Sequence, residues 1–124
     1  MTLSKDDILN ISDIQVKEID VSEWGGTVYI KQLSRGQADE YTFRRFGKSE
    51  MKKGDIETDV TLFGHDTWLV AQGVCDADGK RIFSNSDIKK LEEKNANAIG
   101  SIAVEIVKFS GMQEDVEELD ELKN

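Results

Sequence analysis

The sequence is poor in the residues that build disulfides and metal sites. Its 124 residues include one cysteine and one histidine, and proline is absent. With a single cysteine, Cys75, an internal disulfide is excluded. One cysteine and one histidine are also too few to supply the ligands of a zinc site. Average usage of about 5 % would give roughly six prolines in this length, but their absence excludes no class of function.

Long apolar runs are also missing. None approaches the roughly 20 residues that cross a bilayer, and residues 1–7 lack the charged and then apolar pattern of a secretion signal. The 25 acidic and 16 basic residues give a net charge of −9, which repels phosphate backbones and anionic lipid surfaces. We therefore expect a soluble, cytosolic protein that binds neither nucleic acid nor a membrane.

The remaining composition is that of one small globular domain. Apolar residues make up 38 % of the chain, beside ten glycines, and this length is enough to bury one core. Residues 112–124 hold six acids and one lysine, so their net charge is −5. We expect a folded domain over residues 1–111 and a flexible acidic tail over residues 112–124.

The first third of the chain predicts a helix and a hairpin. Residues 4–11 read as a short helix that Ser4 can cap. Residues 14–21 and 27–33 have the composition of strands, and Gly25-Gly26 between them supplies the backbone angles of a tight connection. We therefore predict an antiparallel hairpin.

A second helix and a loop follow. Ser34 to Gln37 matches a capping box, and Ala38 to Phe46 reads as an amphipathic helix. Residues 47–59 are polar and are predicted to form a mobile loop.

The central apolar stretch, residues 61–75, is predicted to lie in the core. Its periodicity does not separate helix from strand. Asp76 to Gly79 is a strong turn signal, and residues 80–83 after it are predicted to form a short strand, which would make a second hairpin.

Two more helices are predicted before the acidic tail. Ser84 to Asp87 caps one that runs to about Lys94, and Asn95 or Asn97 caps another that ends at Gly111. The apolar residues of the last helix fall on one face: Ile99, Ile102, Ala103, Ile106 and Phe109. The fold class expected is α+β, a single small domain with antiparallel hairpins packed against three or four helices.

No motif predicts catalysis, a cofactor or a metal. His65 is interpreted as a surface or loop histidine, and Cys75 as a buried, inert thiol, since no basic neighbour in sequence would lower its pKa. Asp76-x-Asp78-Gly79 resembles part of a calcium loop, but the rest of that ligand set is missing, so a turn is favoured. We expect a protein that is not an enzyme.

Two oppositely charged segments are the candidate partner-binding sites. One is the basic run that begins at the end of the second helix and continues into the polar loop, and the other is the tail, where apolar residues recur every three positions among acids. The tail is either a frayed, solvated extension or a segment that becomes helical on a partner. The candidate residues are Arg44, Arg45, Lys48, Lys52, Lys53, Val116, Leu119 and Leu122.

The order of two signatures resembles a known family. The first is Val21, Trp24, Gly25 and Gly26 followed by a strand and the capped helix at Ser34. The second is Val74-Cys75-Asp76-Ala77-Asp78-Gly79-Lys80-Arg81-Ile82-Phe83 followed by two helices. Over roughly residues 14–111 this layout is similar to the small tail assembly chaperones of long, non-contractile-tailed bacteriophages.

The resemblance implies a non-enzymatic homo-oligomer in the host cell cytoplasm that takes part in virion morphogenesis. Such a chaperone coats the tape measure protein while tail-tube protein polymerises around it, and is absent from the mature virion. Many relatives also occur in a longer form made by ribosomal frameshifting. The alternatives are a structural tail or head-tail joining protein, and an acidic nucleic-acid mimic that inhibits a host DNA-binding protein.

Overall fold

A computed structural model describes residues 1–46 and 64–112. Within these ranges the chain forms five α-helices and one antiparallel sheet with the strand order β1-β2-β3. The α+β class predicted from the sequence is confirmed. The predicted loop over residues 47–59 and residues 113–124 of the acidic tail lie outside the described residues.

A short helix and the predicted hairpin begin the chain. Helix α1 spans Lys5–Asn10, and Ser4 caps it as predicted: the Ser4 hydroxyl accepts from the backbone of Asp7 at 3.1 Å. Strands β1 (Val16–Val21) and β2 (Gly26–Lys31) pair antiparallel from Val16–Lys31 to Val21–Gly26.

The connection between these strands is a single turn of 3₁₀-helix over Ser22–Trp24. Gly25 ends it with φ +70°, the left-handed region that favours glycine. The Trp24 side chain is 37 % exposed at this corner, while Val21 just before it is buried. The hairpin is therefore closed by Gly25, as the glycine pair predicts.

Two helices fill the middle of the fold. Helix α2 spans Arg35–Phe46 and α3 spans His65–Gly73, and α3 leads directly into the short strand β3, Val74–Cys75. The central apolar stretch is thus a helix followed by a strand. All residues from Thr67 to Gly73 are buried, which explains why no one-sided periodicity distinguished the two states.

The predicted strand over residues 80–83 is wrong. Only one bridge forms there, between Cys75 and Arg81. The Arg81 guanidinium instead donates to the Ala71 carbonyl at 3.0 Å and to Asn85 Oδ1 at 3.2 Å. The backbone beside β3 adds only two hydrogen bonds, from Asp76 N–H to the Lys80 carbonyl at 2.9 Å and from Ile82 N–H to the Val74 carbonyl at 3.5 Å, and Ile82 is left exposed.

Helices α4 (Ile88–Leu91) and α5 (Ala96–Phe109) complete the core. A 3₁₀ turn over Asn85–Asp87 precedes α4, and Asn95 caps α5 by accepting from Ala98 N at 3.0 Å. Four of the five predicted apolar positions of α5 are buried, and Phe109 packs partly buried against the same core. Met112, assigned by sequence to the tail, is also buried in it.

Candidate protein-binding surface

Arg44, a predicted partner-binding residue, makes its contacts within the protein. It lies in the last turn of α2, where its Nε donates to Glu40 Oε2 at 2.8 Å. Its guanidinium carbon also lies 4.7 Å from the centroid of the Trp68 ring on α3, a distance at which the ring face attracts the cation. This side chain therefore joins α2 to α3.

Arg45 has a similar position. Its Nη1 lies 3.3 Å from Tyr41 Oη and 3.3 Å from His65 Nε2. A guanidinium only donates hydrogen bonds, so in this contact Arg45 is the donor and His65 Nε2 the acceptor. His65 is not in a loop: it is the first residue of α3, and its side chain is partly buried. The arrangement is a structural contact between the two helices.

The other predicted partner-binding residues cannot be placed on the fold. Lys48, Lys52, Lys53, Val116, Leu119 and Leu122 all lie outside the described residues. Their role stays a prediction from the sequence.

Cys75 is buried, and burial raises the pKa of its thiol. The nearby charge of Lys31 acts in the opposite direction, but its effect is smaller. A thiol held in its neutral form is a poor nucleophile, so the interpretation of Cys75 as an inert core residue agrees with its surroundings.

The Asp76 to Gly79 segment is a turn held by its own first side chain. Asp76 Oδ1 accepts from the backbone N–H groups of Asp78 and Lys80, each at 2.9 Å. The hydrogen bond from Lys80 is the main cause that lowers the pKa of the Asp76 carboxyl. Gly79 has φ +87° and lies against β1, where an added Cβ would be 3.3 Å from Val16 Cγ2. The Asp76 carboxylate thus accepts hydrogen bonds from the backbone of its own turn, as the turn interpretation requires.

A groove beside the β1–β2 corner is strongly acidic. It measures about 420 Å³, lies between β1, the 3₁₀ turn and α5, and has Glu18, Asp20, Glu23 and Glu105 among its lining residues. Glu18 Oε2 also accepts from the Thr27 hydroxyl at 2.6 Å. The negative charge of the groove favours a cationic partner over an anionic one.

The structure also reveals an apolar surface that the sequence analysis missed. We call residues 3–14 the leading segment; it contains α1, and α1 buries none of its residues. Five large apolar side chains of this segment are exposed: Leu3, Ile8, Leu9, Ile11 and Ile14. By contrast, the exposed large apolar residues of the described part after residue 14 are scattered singly over the fold: Trp24, Phe43, Ile82 and Val104.

The size of this surface determines how much free energy its burial would contribute. The exposed fractions of the five residues add up to the surface of about two and a half fully exposed side chains. Full burial of one such side chain contributes about 1.5–3 kcal/mol, so covering the leading segment would contribute about 4–8 kcal/mol. Five large exposed apolar side chains within twelve consecutive residues are typical of a site of protein association. The signal in the sequence was Leu3 and Ile8 on either side of the cap, together with Leu9 and Ile11.

The leading segment is attached to the body at a defined point. Gln15 N–H donates to Gln32 Oε1 at 2.9 Å, and Gln32 N–H donates back to the Gln15 carbonyl at 3.0 Å. The Gln32 amide also donates to the Phe109 carbonyl at 3.1 Å. The segment therefore leaves the domain beside the C-terminal end of α5.

No protein-family model matches the chain, no curated protein matches it in sequence, and no solved structure matches its fold. Across residues 1–46 and 64–112, no three His, Cys, Asp or Glu side chains come together as metal ligands would. No helix in the same ranges is both long enough and apolar enough to cross a membrane.

Proposed function

We propose that this chain is a tail assembly chaperone of a long, non-contractile-tailed bacteriophage. It binds and solubilises the tape measure protein in the host cell cytoplasm during tail morphogenesis, and is absent from the mature virion. Its further partners are other copies of itself, the tail-tube protein, and a frameshift-extended form of the same chain.

The observation that carries the proposal is the β1–β2 corner on which the family resemblance rests. Gly25 holds the corner in a fixed backbone conformation, and Trp24 is left 37 % exposed at its tip. Tryptophan is enriched among the residues that dominate protein-binding energies, and the acidic groove lies beside it. An exposed aromatic residue next to negative charge suits a partner that is apolar and cationic.

The charge of the chain also supports a solubilising role. A tape measure protein is long and helical, and its apolar stripes associate with one another unless they are covered. A cover with a net charge of −9 keeps the complex dispersed, because like charges repel at a distance.

Co-expression with the tape measure protein of the same phage tests the proposal. We expect the soluble fraction of the tape measure protein to rise with the chain present, and not with an unrelated acidic protein of similar size. Trp24→Ala should reduce this effect, whereas Ile82→Ala, which alters an exposed apolar residue outside the corner, should not. An unchanged soluble fraction with the intact chain would refute the proposal.

A structural tail or head-tail joining protein is the main alternative. Mass spectrometry of infected cells and of purified virions separates the two functions. A chaperone is present in the cells and missing from the virions, whereas a structural component is found in both.

The acidic groove gives the nucleic-acid mimic its only specific support. An inhibitor of that kind would have to bind a host DNA-binding protein in competition with DNA. Capture of such a protein from host extract, with release by added duplex DNA, would favour the mimic over the chaperone.

A further inference from the structure

We propose that the free edge of strand β1 is a strand-pairing site for an extended segment of another protein, one that carries lysine or arginine among its side chains. The segment adds a further strand beside β1 and bonds to it through the main chain, while its basic side chains lie in the acidic groove. This goes beyond the proposed function, because the tape measure protein is helical and a strand-pairing site takes an extended chain.

Strand β1 directs one row of its backbone groups away from the sheet. It is the first strand in the order β1-β2-β3, so only β2 lies beside it. Gln32 N–H donates to the Gln15 carbonyl where the β1–β2 register begins, and in an antiparallel pair such bonded residues alternate with residues whose backbone groups point outward. Val16, Glu18 and Asp20 therefore direct N–H and C=O away from β2. In the described part of the chain, no other backbone group bonds to them there.

The edge of β1 lacks the features that commonly protect edge strands. Proline, a β-bulge or a lysine at the edge usually prevents the pairing of a further strand. The register with β2 runs over all six residues without a bulge, and the chain has no proline. The only lysine of the strand is Lys17, and its Nζ lies 4.9 Å from the centroid of the Phe109 ring. The edge is therefore open to another strand.

The acidic groove follows this edge. Its lining includes every residue from Glu18 to Glu23 on one side, and Ser101, Ile102 and Glu105 of α5 on the other. Successive side chains of a strand point to opposite faces of its sheet. Consecutive residues of β1 in one lining therefore indicate that the groove runs along the edge rather than over one face.

The charge of the groove distinguishes between possible occupants. Glu18, Asp20, Glu23 and Glu105 line it, and no lysine or arginine of the described residues does, which favours a basic segment. A second copy that pairs through its own β1 is disfavoured. Centred on this strand, such a pair would place Glu18 and Asp20 of one copy opposite the same acids of the other, and like charges directly opposite are destabilising.

The rest of the chain also lacks the charge that the groove favours. Residues 47–63 carry three lysines and four acids, a net charge of −1, and residues 113–124 carry six acids and one lysine, a net charge of −5. The charges thus favour a segment of a separate protein over either part of this chain.

A synthetic peptide as long as β1, with alternating lysine and threonine, tests the site. Fluorescence anisotropy of the labelled peptide with the full chain should show saturable binding, and the same peptide with glutamate in place of lysine should not bind. A lysine peptide methylated at every backbone nitrogen keeps its charge but donates no main-chain hydrogen bonds, so it should bind about 10-fold more weakly or less still.

The matched substitutions Glu18→Pro and Glu18→Thr test the edge from the side of the protein. Both remove the carboxylate and its hydrogen bond from the Thr27 hydroxyl, but only proline removes the outward N–H. Proline is tolerated at such an edge position, because that N–H does not bond to β2. Glu18→Thr should still bind the peptide, and Glu18→Pro should bind it about 10-fold more weakly than Glu18→Thr. Circular dichroism checks folding, and if the proline variant unfolds, the methylated peptide makes the same test.

The substitutions Asp20→Lys and Glu93→Lys test the charge of the groove. Both residues are exposed and both changes alter the net charge equally, but only Asp20 lines the groove. Asp20→Lys should weaken binding of the lysine peptide by about 10-fold, and Glu93→Lys should have little effect. Equal weakening by both would show attraction by the overall charge, and would overturn the proposal.

Hydrogen exchange resolved by residue gives the most direct signature. The amides of Lys17 and Ile19 face β2, so they should exchange slowly with or without the peptide. The amides of Glu18 and Asp20 should become protected only when the lysine peptide is bound. A bound peptide that leaves both amides unprotected is not paired with the edge, and would overturn the proposal.

Three further results would also overturn it: no saturable binding, equal binding of the methylated peptide, or a dimer of the chain that Glu18→Pro dissociates, which would place a second copy at the edge. These measurements do not involve the tape measure protein. A chain that solubilises that protein but does not bind the peptide would refute this inference alone, whereas a chain that binds the peptide without the solubilising effect would refute the proposed function alone.

Discussion

The contact between α3 and α5 depends on a glycine, and Gly73→Ala tests it. Gly73 is the last residue of α3, and a Cβ built there would lie 2.5 Å from Ile106 Cδ1. It would also lie 3.1 Å from Ile106 Cγ1 and 3.2 Å from Cγ2. Ile106 is completely buried. Because three atoms of one side chain surround the position, rotation of a single methyl group does not make room.

The magnitude follows from two opposing effects. Overpacking a well-filled core costs about 1–3 kcal/mol, while alanine in place of glycine gains at most about 1 kcal/mol in a helix and less at its last residue. We expect Gly73→Ala to lower the free energy of unfolding by about 1–2 kcal/mol. Gly100→Ala is the matched control: in α5, an added Cβ meets nothing within 4 Å, so that variant should gain about 0.5–1 kcal/mol.

Urea unfolding followed by circular dichroism, at one fixed protein concentration, measures both changes. Ile106→Val removes the Cδ1 methyl and should cost about 0.5–1.5 kcal/mol alone. Combined with Gly73→Ala it should cost less than the sum of the two, since the shortened side chain leaves room for the new methyl. A Gly73→Ala variant as stable as the parent, or strictly additive costs in the double variant, would refute the close packing of α3 on α5.

Three further predictions concern the charged and reactive groups. The pKa of Asp76 is lowered in the folded protein, so its carboxylate stabilises the fold at pH values above the ordinary pKa of 3.8. This contribution is lost as the pH falls through the lower pKa of the folded state. Asp76→Asn should therefore lose less stability in acid than the parent, as measured by thermal melts from pH 5 to pH 2. The Cys75 thiol, buried and with a raised pKa, should react with a disulfide reagent only as fast as the protein opens, and reaction of the native protein at the rate of a free thiol would contradict its placement. Arg44→Ala should lower the free energy of unfolding by about 0.5–1.5 kcal/mol through its contacts with Glu40 and Trp68, Arg44→Lys should retain part of that, and an unchanged stability in both would count against the contact.

The features that sequence predicted well are those fixed by neighbours in the chain. The capping box at Ser4, the cap of α5 at Asn95 and the left-handed glycine at Gly25 each depend on residues at most four positions apart. Caps and turn glycines of this kind form the same local structure in many different folds, because they depend on neighbouring residues only.

The sequence was ambiguous or misleading where contacts between distant residues determine the secondary structure. Helix α3 is buried on all sides by elements far along the chain, so its pattern could not separate helix from strand. Where a strand was expected at residues 80–83, the chain forms one bridge to Cys75, and the Arg81 side chain bonds to the carbonyl of Ala71 and to Asn85. The propensities of residues 80–83 carry no information on these contacts with residues 71, 75 and 85.

Much of the candidate surface also escaped prediction. A basic run reads as a partner site, but Arg44 and Arg45 direct their guanidinium groups to Glu40, Tyr41 and neighbours on α3. Their four-residue spacing from Glu40 and Tyr41 could have indicated this. The apolar residues of α1 look like ordinary core positions in the sequence, and only the fold shows that no element within residues 1–46 and 64–112 buries them.

The central claim is that this chain acts by covering another protein chain. The most direct test is the mass of the complex purified from cells that make the chain together with the tape measure protein, measured by light scattering after gel filtration. We predict one soluble species in which several copies of the chain accompany each tape measure chain. Separate elution of the two proteins, with the tape measure protein equally soluble alone, would contradict the claim.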